Sequence, residues 1–169
     1  MFSTNFIAAT EDFSTYTHHV PAPYLRKAFC LNGEIASAQI TICGLGFYRL
    51  FINGQEITKG LLAPYISNPD DYLYYDQYDL AQLLRPGKNA VGILLGNGFL
   101  NAPGGRTWDL DKGAFRSAPK VALRLAVTCR DGTQSVITAD PTFKTHPSPI
   151  LFDDLRCGEF YDARLEIPG

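Results

Sequence analysis

The side chains in this chain best suited to chemistry are its carboxylates, and their spacing limits what they can do. Asp153 and Asp154 are adjacent, Glu159 follows shortly after, and Asp109 and Asp111 lie in a glycine-rich stretch. Cleaving a glycosidic bond takes two carboxyl groups facing each other across a cleft, one as proton donor and one as nucleophile or base. Neighbours on a strand point to opposite faces, so Asp153 and Asp154 cannot both reach one bond from a strand. No catalytic pair is assigned. The oxygen-rich run Asn68-Pro69-Asp70-Asp71 reads first as a solvated turn, since these are common turn residues, and second as a set of oxygen ligands. Asn97 and Asn101 lie on a long loop that could converge on it. Trp108, the only tryptophan, sits in the polar, glycine-rich residues 104–113 and not in an apolar strand. An indole there can pack the C–H face of a sugar ring while Arg106, Asp109 and Asp111 take its hydroxyls. It can equally serve as a plug closing one end of the fold. His18, His19 and His146 have no metal-ligand spacing. Cys30, Cys43, Cys129 and Cys157 have no C-x-x-C pair. They are expected to be reduced, with Cys43 and Cys129 acting as small hydrophobes inside apolar strands.

The elements that must carry these residues are short strands. Residues 24–31, 36–43 and 47–52 read as strands, and Asn53-Gly54 supplies the positive φ angles of a tight hairpin turn before residues 55–58 return. Residues 72–79 read as a further strand, 79–84 as one helical turn, and 89–95 as a nearly all-apolar central strand buried on both faces. Residues 96–118 form a long irregular connection, which in a compact domain tends to be functional or disordered. Residues 121–130 alternate, Asp131-Gly132 is a second hairpin turn, and 135–138 return from it. Shorter strands are expected at 143–145 and 149–152. No helical pattern exceeds about two turns, so an all-β, antiparallel, jelly-roll-type β-sandwich of the galactose-binding-like kind is predicted.

At 169 residues, the chain reads as an extended lead-in over 1–20 followed by one β-sandwich domain over 21–169, with residues 158–169 leading toward further domains of a longer protein. With 46% hydrophobic and 19% charged residues and a net charge of −2, it has no basic run, so neither nucleic acid nor a membrane is expected as a partner. The N-terminus has no basic region and no long apolar core, which predicts a cytoplasmic location, or a secreted or periplasmic one if a leader has been removed.

The order of short motifs is more specific than any one of them. Pro21-Ala22-Pro23-Tyr24-Leu25-Arg26-Lys27-Ala28-Phe29 is followed by Gly44-Leu45-Gly46-Phe47-Tyr48, Asn53-Gly54 and Leu62-Ala63-Pro64. Tyr75-Asp76-Gln77-Tyr78-Asp79 and Gly96-Asn97-Gly98-Phe99 come next, and Ser148-Pro149-Ile150 and Gly158-Glu159-Phe160-Tyr161-Asp162-Ala163-Arg164 close the series. This resembles the N-terminal β-sandwich domain of bacterial α-L-rhamnosidases over nearly the whole chain from Ala22. Two departures stand near the loops that would bind ligand. Asn97 replaces an Asp usual between the glycines, and Ile66-Ser67-Asn68-Pro69 replaces a Trp-Thr-Asp-Tyr run.

The resemblance implies a non-catalytic accessory domain of a glycoside hydrolase acting in polysaccharide degradation, with catalysis in a separate helical barrel too large for this chain. In the family, the related sandwich can hold terminal L-rhamnose through a calcium ion, which takes six to eight oxygen ligands in flexible geometry. On that basis Asp70 and Asp71 are expected as calcium ligands. Asn68, Asn97, Asn101, Arg106, Trp108 and Asp109 are expected to contact a rhamnose-containing glycan. The alternative is a purely structural interdomain sandwich that braces the catalytic domain without a ligand site, which the two departures favour. A related sandwich from β-galactosidase-like enzymes is a third possibility.

Overall fold

The computed structural model describes residues 5–15, 17–102 and 109–167. Twelve strands are described: β1 (Ile7–Ala8), β2 (Pro23–Leu31), β3 (Ile35–Leu45), β4 (Phe47–Ile52), β5 (Gln55–Glu56), β6 (Asp76–Asp79), β7 (Gly87–Gly96), β8 (Lys120–Cys129), β9 (Gln134–Thr138), β10 (Lys144–Pro147), β11 (Ile150–Asp154) and β12 (Gly158–Tyr161). One sheet runs β1-β8-β3-β6, with β9 also paired to β8. The other runs β10-β2-β7-β4-β5, and β11-β12 form a separate hairpin. Every pairing is antiparallel. The fold is the expected all-β sandwich.

Strand alternation builds the core, because every second side chain faces the opposing sheet. From one sheet come Ala38, Ile40 and Ile42 of β3 and Val121, Leu123, Leu125 and Val127 of β8. From the other come Tyr48, Leu50 and Ile52 of β4 and Val91, Ile93 and Leu95 of β7. These residues belong to one apolar cluster. The predicted turns form where their chemistry demands: Asn53 and Gly54 have φ 51° and 84°, and Gly132 has φ 86°.

Two expectations about elements are corrected. The strand predicted over 72–79 is confined to Asp76–Asp79, because pairing with β3 runs only from Gln39↔Asp79 to Ile42↔Asp76. Tyr72, Leu73, Tyr74 and Tyr75 stay outside the ladder and exposed. The tail does more than exit, since Gly158–Tyr161 pairs back onto β11.

Within the lead-in, Ile7 and Ala8 pair with Val121 and Lys120 of β8. Asn101 Oδ1 accepts from the Ser14 amide at 2.8 Å, and Ser14 Oγ accepts from the Val20 amide at 3.0 Å. All four cysteines are free thiols, with Cys43 and Cys129 buried. Burial pushes the Cys43 thiol up to about 11, so it stays protonated and inert.

Candidate functional site

The loop from β7 toward residue 102 is held down by two asparagines. The Asn97 backbone amide donates to Asp153 Oδ2 at 2.7 Å, and its Nδ2 donates to Asp153 Oδ1 at 2.5 Å and to the Val20 carbonyl at 3.1 Å. Asn101 Nδ2 in turn donates to Asn97 Oδ1 at 2.5 Å. Both asparagines are buried. Their amides therefore tie three segments together: the end of β7, the lead-in and the β11–β12 hairpin. Gly96 permits the close approach, since a Cβ there would lie 3.3 Å from Asp153 Oδ2.

Asp153 and Asp154 diverge, as adjacent strand residues do. Asp153 meets Asn97, while Asp154 Oδ1 accepts the backbone amides of Arg156 and Cys157 at 2.8 and 2.9 Å, capping the turn into β12. Burial raises the Asp153 pKa, the nearby charges of Glu159 and Asp154 add to the rise, and the Asn97 donors oppose it.

Above this strut lies a cleft of about 360 Å³. One wall is Leu61 and Leu62, another is Phe47 and Arg49 of β4, and Gly96 and Gly98 lie below. The far side is the hairpin, with Ile150, Asp153, Asp154, Leu155 and Glu159. Arg49 is already engaged, its Nε and Nη2 donating to the two oxygens of Glu56 at 2.8 and 2.5 Å. Its lining mixes apolar side chains with Arg49, Asp153, Asp154 and Glu159, the usual make-up of a recognition site. None of Phe47, Arg49, Leu61 or Leu62 was expected from sequence to line a site, and Glu159 was weighed there only as a catalytic carboxylate. The available signal was the bare Leu61-Leu62 pair in a glycine- and proline-marked loop.

Of the residues expected to form one site, the described ones bond within the protein: Asn97 to Asn101, and Asn68 to Asp71. Asn97 and Asn101 face inward, their side chains spent on the protein itself. Asn68, Asp70 and Asp71 form an exposed turn in which Asn68 Nδ2 donates to Asp71 Oδ2 at 2.6 Å and Asn68 Oδ1 accepts from the Asp70 amide at 3.3 Å. That is the Asx-turn arrangement of Asn and Asp. Among the described residues no group of three or more His, Cys, Asp or Glu side chains could hold a metal ion. Asp109 is exposed and left-handed at φ 48°, and pairs with Lys112 at 3.0 Å. Arg106 and Trp108 lie outside the described residues.

Comparison with known proteins agrees with this architecture. Residues 33–169 match the family described as the alpha-L-rhamnosidase N-terminal domain. An alpha-L-rhamnosidase of Formosa agariphila is 39% identical over 148 residues, covering 86% of this chain and 16% of that protein. The structure of an alpha-L-rhamnosidase from Dictyoglumus thermophilum superposes with a TM-score of 0.83 at 30% identity, over 97% of this chain and 19% of that one. That of a Streptomyces avermitilis alpha-L-rhamnosidase complexed with L-rhamnose gives 0.81 at 31% identity, over 88% and 14%. This chain thus spans less than a fifth of each of these α-L-rhamnosidases. With the family matched from Gly33 onward and the sandwich superposing nearly end to end, the chain belongs to the α-L-rhamnosidase N-terminal domain family.

Proposed function

We propose that this chain is the non-catalytic accessory sandwich of an α-L-rhamnosidase-type glycoside hydrolase, and that within a longer polypeptide it braces the domain that performs hydrolysis. The observation that carries this is the apolar surface of the loop between β5 and β6, where Leu61, Leu62, Tyr65, Ile66, Tyr72 and Tyr75 are all exposed. Large exposed apolar patches mark interaction surfaces. The catalytic machinery of such a parent belongs to the part of the polypeptide that this chain does not span. The test compares the full-length enzyme with a version lacking this sandwich. Deletion is expected to lower the thermal midpoint of the remainder, and the sandwich alone is expected not to hydrolyse aryl α-L-rhamnosides. Turnover by the isolated chain that disappears on mutating one of its own acidic residues would overturn the proposal.

A second reading is that the sandwich itself holds a rhamnose-containing glycan. The cleft favours it, because apolar walls next to Asp153, Glu159 and Arg49 suit a sugar's C–H faces and hydroxyls. Calorimetric titration of L-rhamnose with and without calcium separates the two readings. Saturable heat with a raised thermal midpoint supports the glycan, since any ligand bound only by the native state stabilises it. No heat and no shift leave the bracing role.

A further inference from the structure

We infer that the cleft between the Leu61–Leu62 loop and the β11–β12 hairpin is the socket that receives another domain of the same polypeptide, and that the inserted element presents a lysine or arginine flanked by apolar side chains. The inference rests on the bracing role and names the surface and partner chemistry for it.

Three observations converge on the socket. The first is its walls. Leu61 is 90% exposed and Leu62 61%, and both border the cleft. On the hairpin, Phe160 and Tyr161 are exposed as well. Burying such a rim needs an apolar partner.

The second is charge. The carboxylates in and around the cleft are Asp153, Asp154, Glu159 and Glu56, and the guanidiniums are Arg49 and Arg156. Four negative groups against two positive leave an excess of two. Arg49 is bound by Glu56, and Arg156 Nε stands 3.9 Å from Asp154 Oδ1. The Glu159 side chain makes no hydrogen bond or salt bridge among the described residues; its charge acts on Arg49, which Glu56 already holds, and it lies close enough to Asp153 to raise that group's pKa. A cation entering the cleft would relieve this crowding. A partner with an acidic tip would worsen it.

The third is rigidity. The side of the cleft bearing Asp153 is pinned to Asn97 by two hydrogen bonds, so docking requires little reordering there and loses correspondingly little affinity. The occupant has a ready source, since the relatives carry more than four-fifths of their length outside the matched region.

The experiment is scanning calorimetry of the full-length protein beside the isolated sandwich, with the wild type, Glu159→Lys, and the double variant Leu61→Ser with Leu62→Ser. All three substituted side chains are exposed, so the isolated sandwich should melt within about 1 °C of wild type. In the full-length wild type, the sandwich is expected to melt together with the remainder, above its isolated midpoint. In both variants it is expected to melt separately, at its isolated midpoint. Added in trans, the Glu159→Lys sandwich should bind the remainder at least tenfold more weakly than wild type. That deficit should shrink in high salt, as a charge contribution must. A wild-type full-length protein whose sandwich already melts at its isolated midpoint would sink the bracing role itself. Coupling that survives both variants would leave bracing intact and overturn the socket. Loss of coupling with the leucine variant but not with Glu159→Lys would overturn the cationic occupant. Concentration-dependent dimerisation of the isolated sandwich, abolished by Glu159→Lys, would assign the socket to a second copy and overturn the same-chain occupant.

Discussion

Replacing Asn97 with Ala separates a strut from a ligand. In the structure the Asn97 side chain makes three buried hydrogen bonds: to the Asp153 carboxylate, to the Val20 carbonyl and from Asn101. Truncation deletes all three and strands their partners. Leaving a buried polar group unpaired costs about 1–3 kcal/mol, more when the group is charged, while the backbone bond from Asn97 to Asp153 survives. The loss is expected to reach about 3–4 kcal/mol. In a domain of this size each kcal/mol lowers the midpoint by about 2–4 °C, so the midpoint should fall by about 10 °C. The pH dependence adds a second readout. Burial raises the Asp153 pKa and Asn97 opposes that rise. A raised acid pKa gives stability that is fully present below the unfolded value and is lost as pH rises through the folded one. Without Asn97 the folded value rises further. The variant's deficit should therefore grow as pH rises from 4 to 7, because the charged form of Asp153 is the one that loses its donor. Asn97→Asp should behave likewise and more strongly, since it sets two carboxylates face to face. Thermal melts of the ligand-free protein at both pH values decide the matter. A midpoint within about 1 °C of wild type at pH 7 would refute the strut and return Asn97 to the list of ligand-binding residues.

Three further predictions concern the frame. Lys27 and Thr142 hold the Asp140 carboxyl down at about 2, against an ordinary 3.8. That stability is present above pH 3.8 and lost as pH falls through 2, and because the pair is partly exposed it is worth only about 1 kcal/mol. Asp140→Asn keeps the turn to Thr142 and should lower the midpoint by about 3 °C at pH 7 while flattening the acid limb of a stability–pH curve; an unchanged limb would count against the ion pair. Tyr48 donates to Asp76 and lies 3.1 Å from the Tyr78 hydroxyl with its ring buried, so Tyr48→Phe should cost about 1–2 kcal/mol by urea unfolding, and a neutral result would mean that water replaces the bond. Gly54 has φ 84° and open space where a Cβ would stand, so Gly54→Ala should cost about 1 kcal/mol from backbone conformation alone, again read by urea unfolding; no loss would show that the turn relaxes.

Much of the sandwich was legible because its determinants are local. The apolar run 89–95 marks β7 as a central strand, with Val91, Ile93, Leu94 and Leu95 all buried, and Asn53-Gly54 specifies the turn between β4 and β5, without reference to anything distant. Hairpin β11–β12 was half legible. Residues 149–152 carry strand character, but Gly158–Tyr161 is exposed throughout and owes its conformation to its partner strand, which no pattern within it announces. The run 72–75 has strand propensity but does not extend the ladder, although β3 itself continues to Leu45; propensity alone does not fix where pairing stops.

The site was the least legible part, and the reason is chemical. An asparagine amide has the same donors and acceptor whether it meets a sugar hydroxyl or the protein's own carbonyl. Asn97 and Asn101 therefore carried the marks of ligand residues: amides on a long glycine-rich loop beside conspicuous acids. Only the fold decides which partner an amide meets, and here it brings Val20, Asp153 and Ser14 to them first. The same fold leaves Glu159, weighed from sequence only as a catalytic carboxylate, and the Leu61–Leu62 pair, not expected there from sequence, on the lining of the cleft. Once the internal amides are spent, what the surface still offers is apolar area and an excess of negative charge. Those are the groups that a partner domain, or a sugar, would have to satisfy.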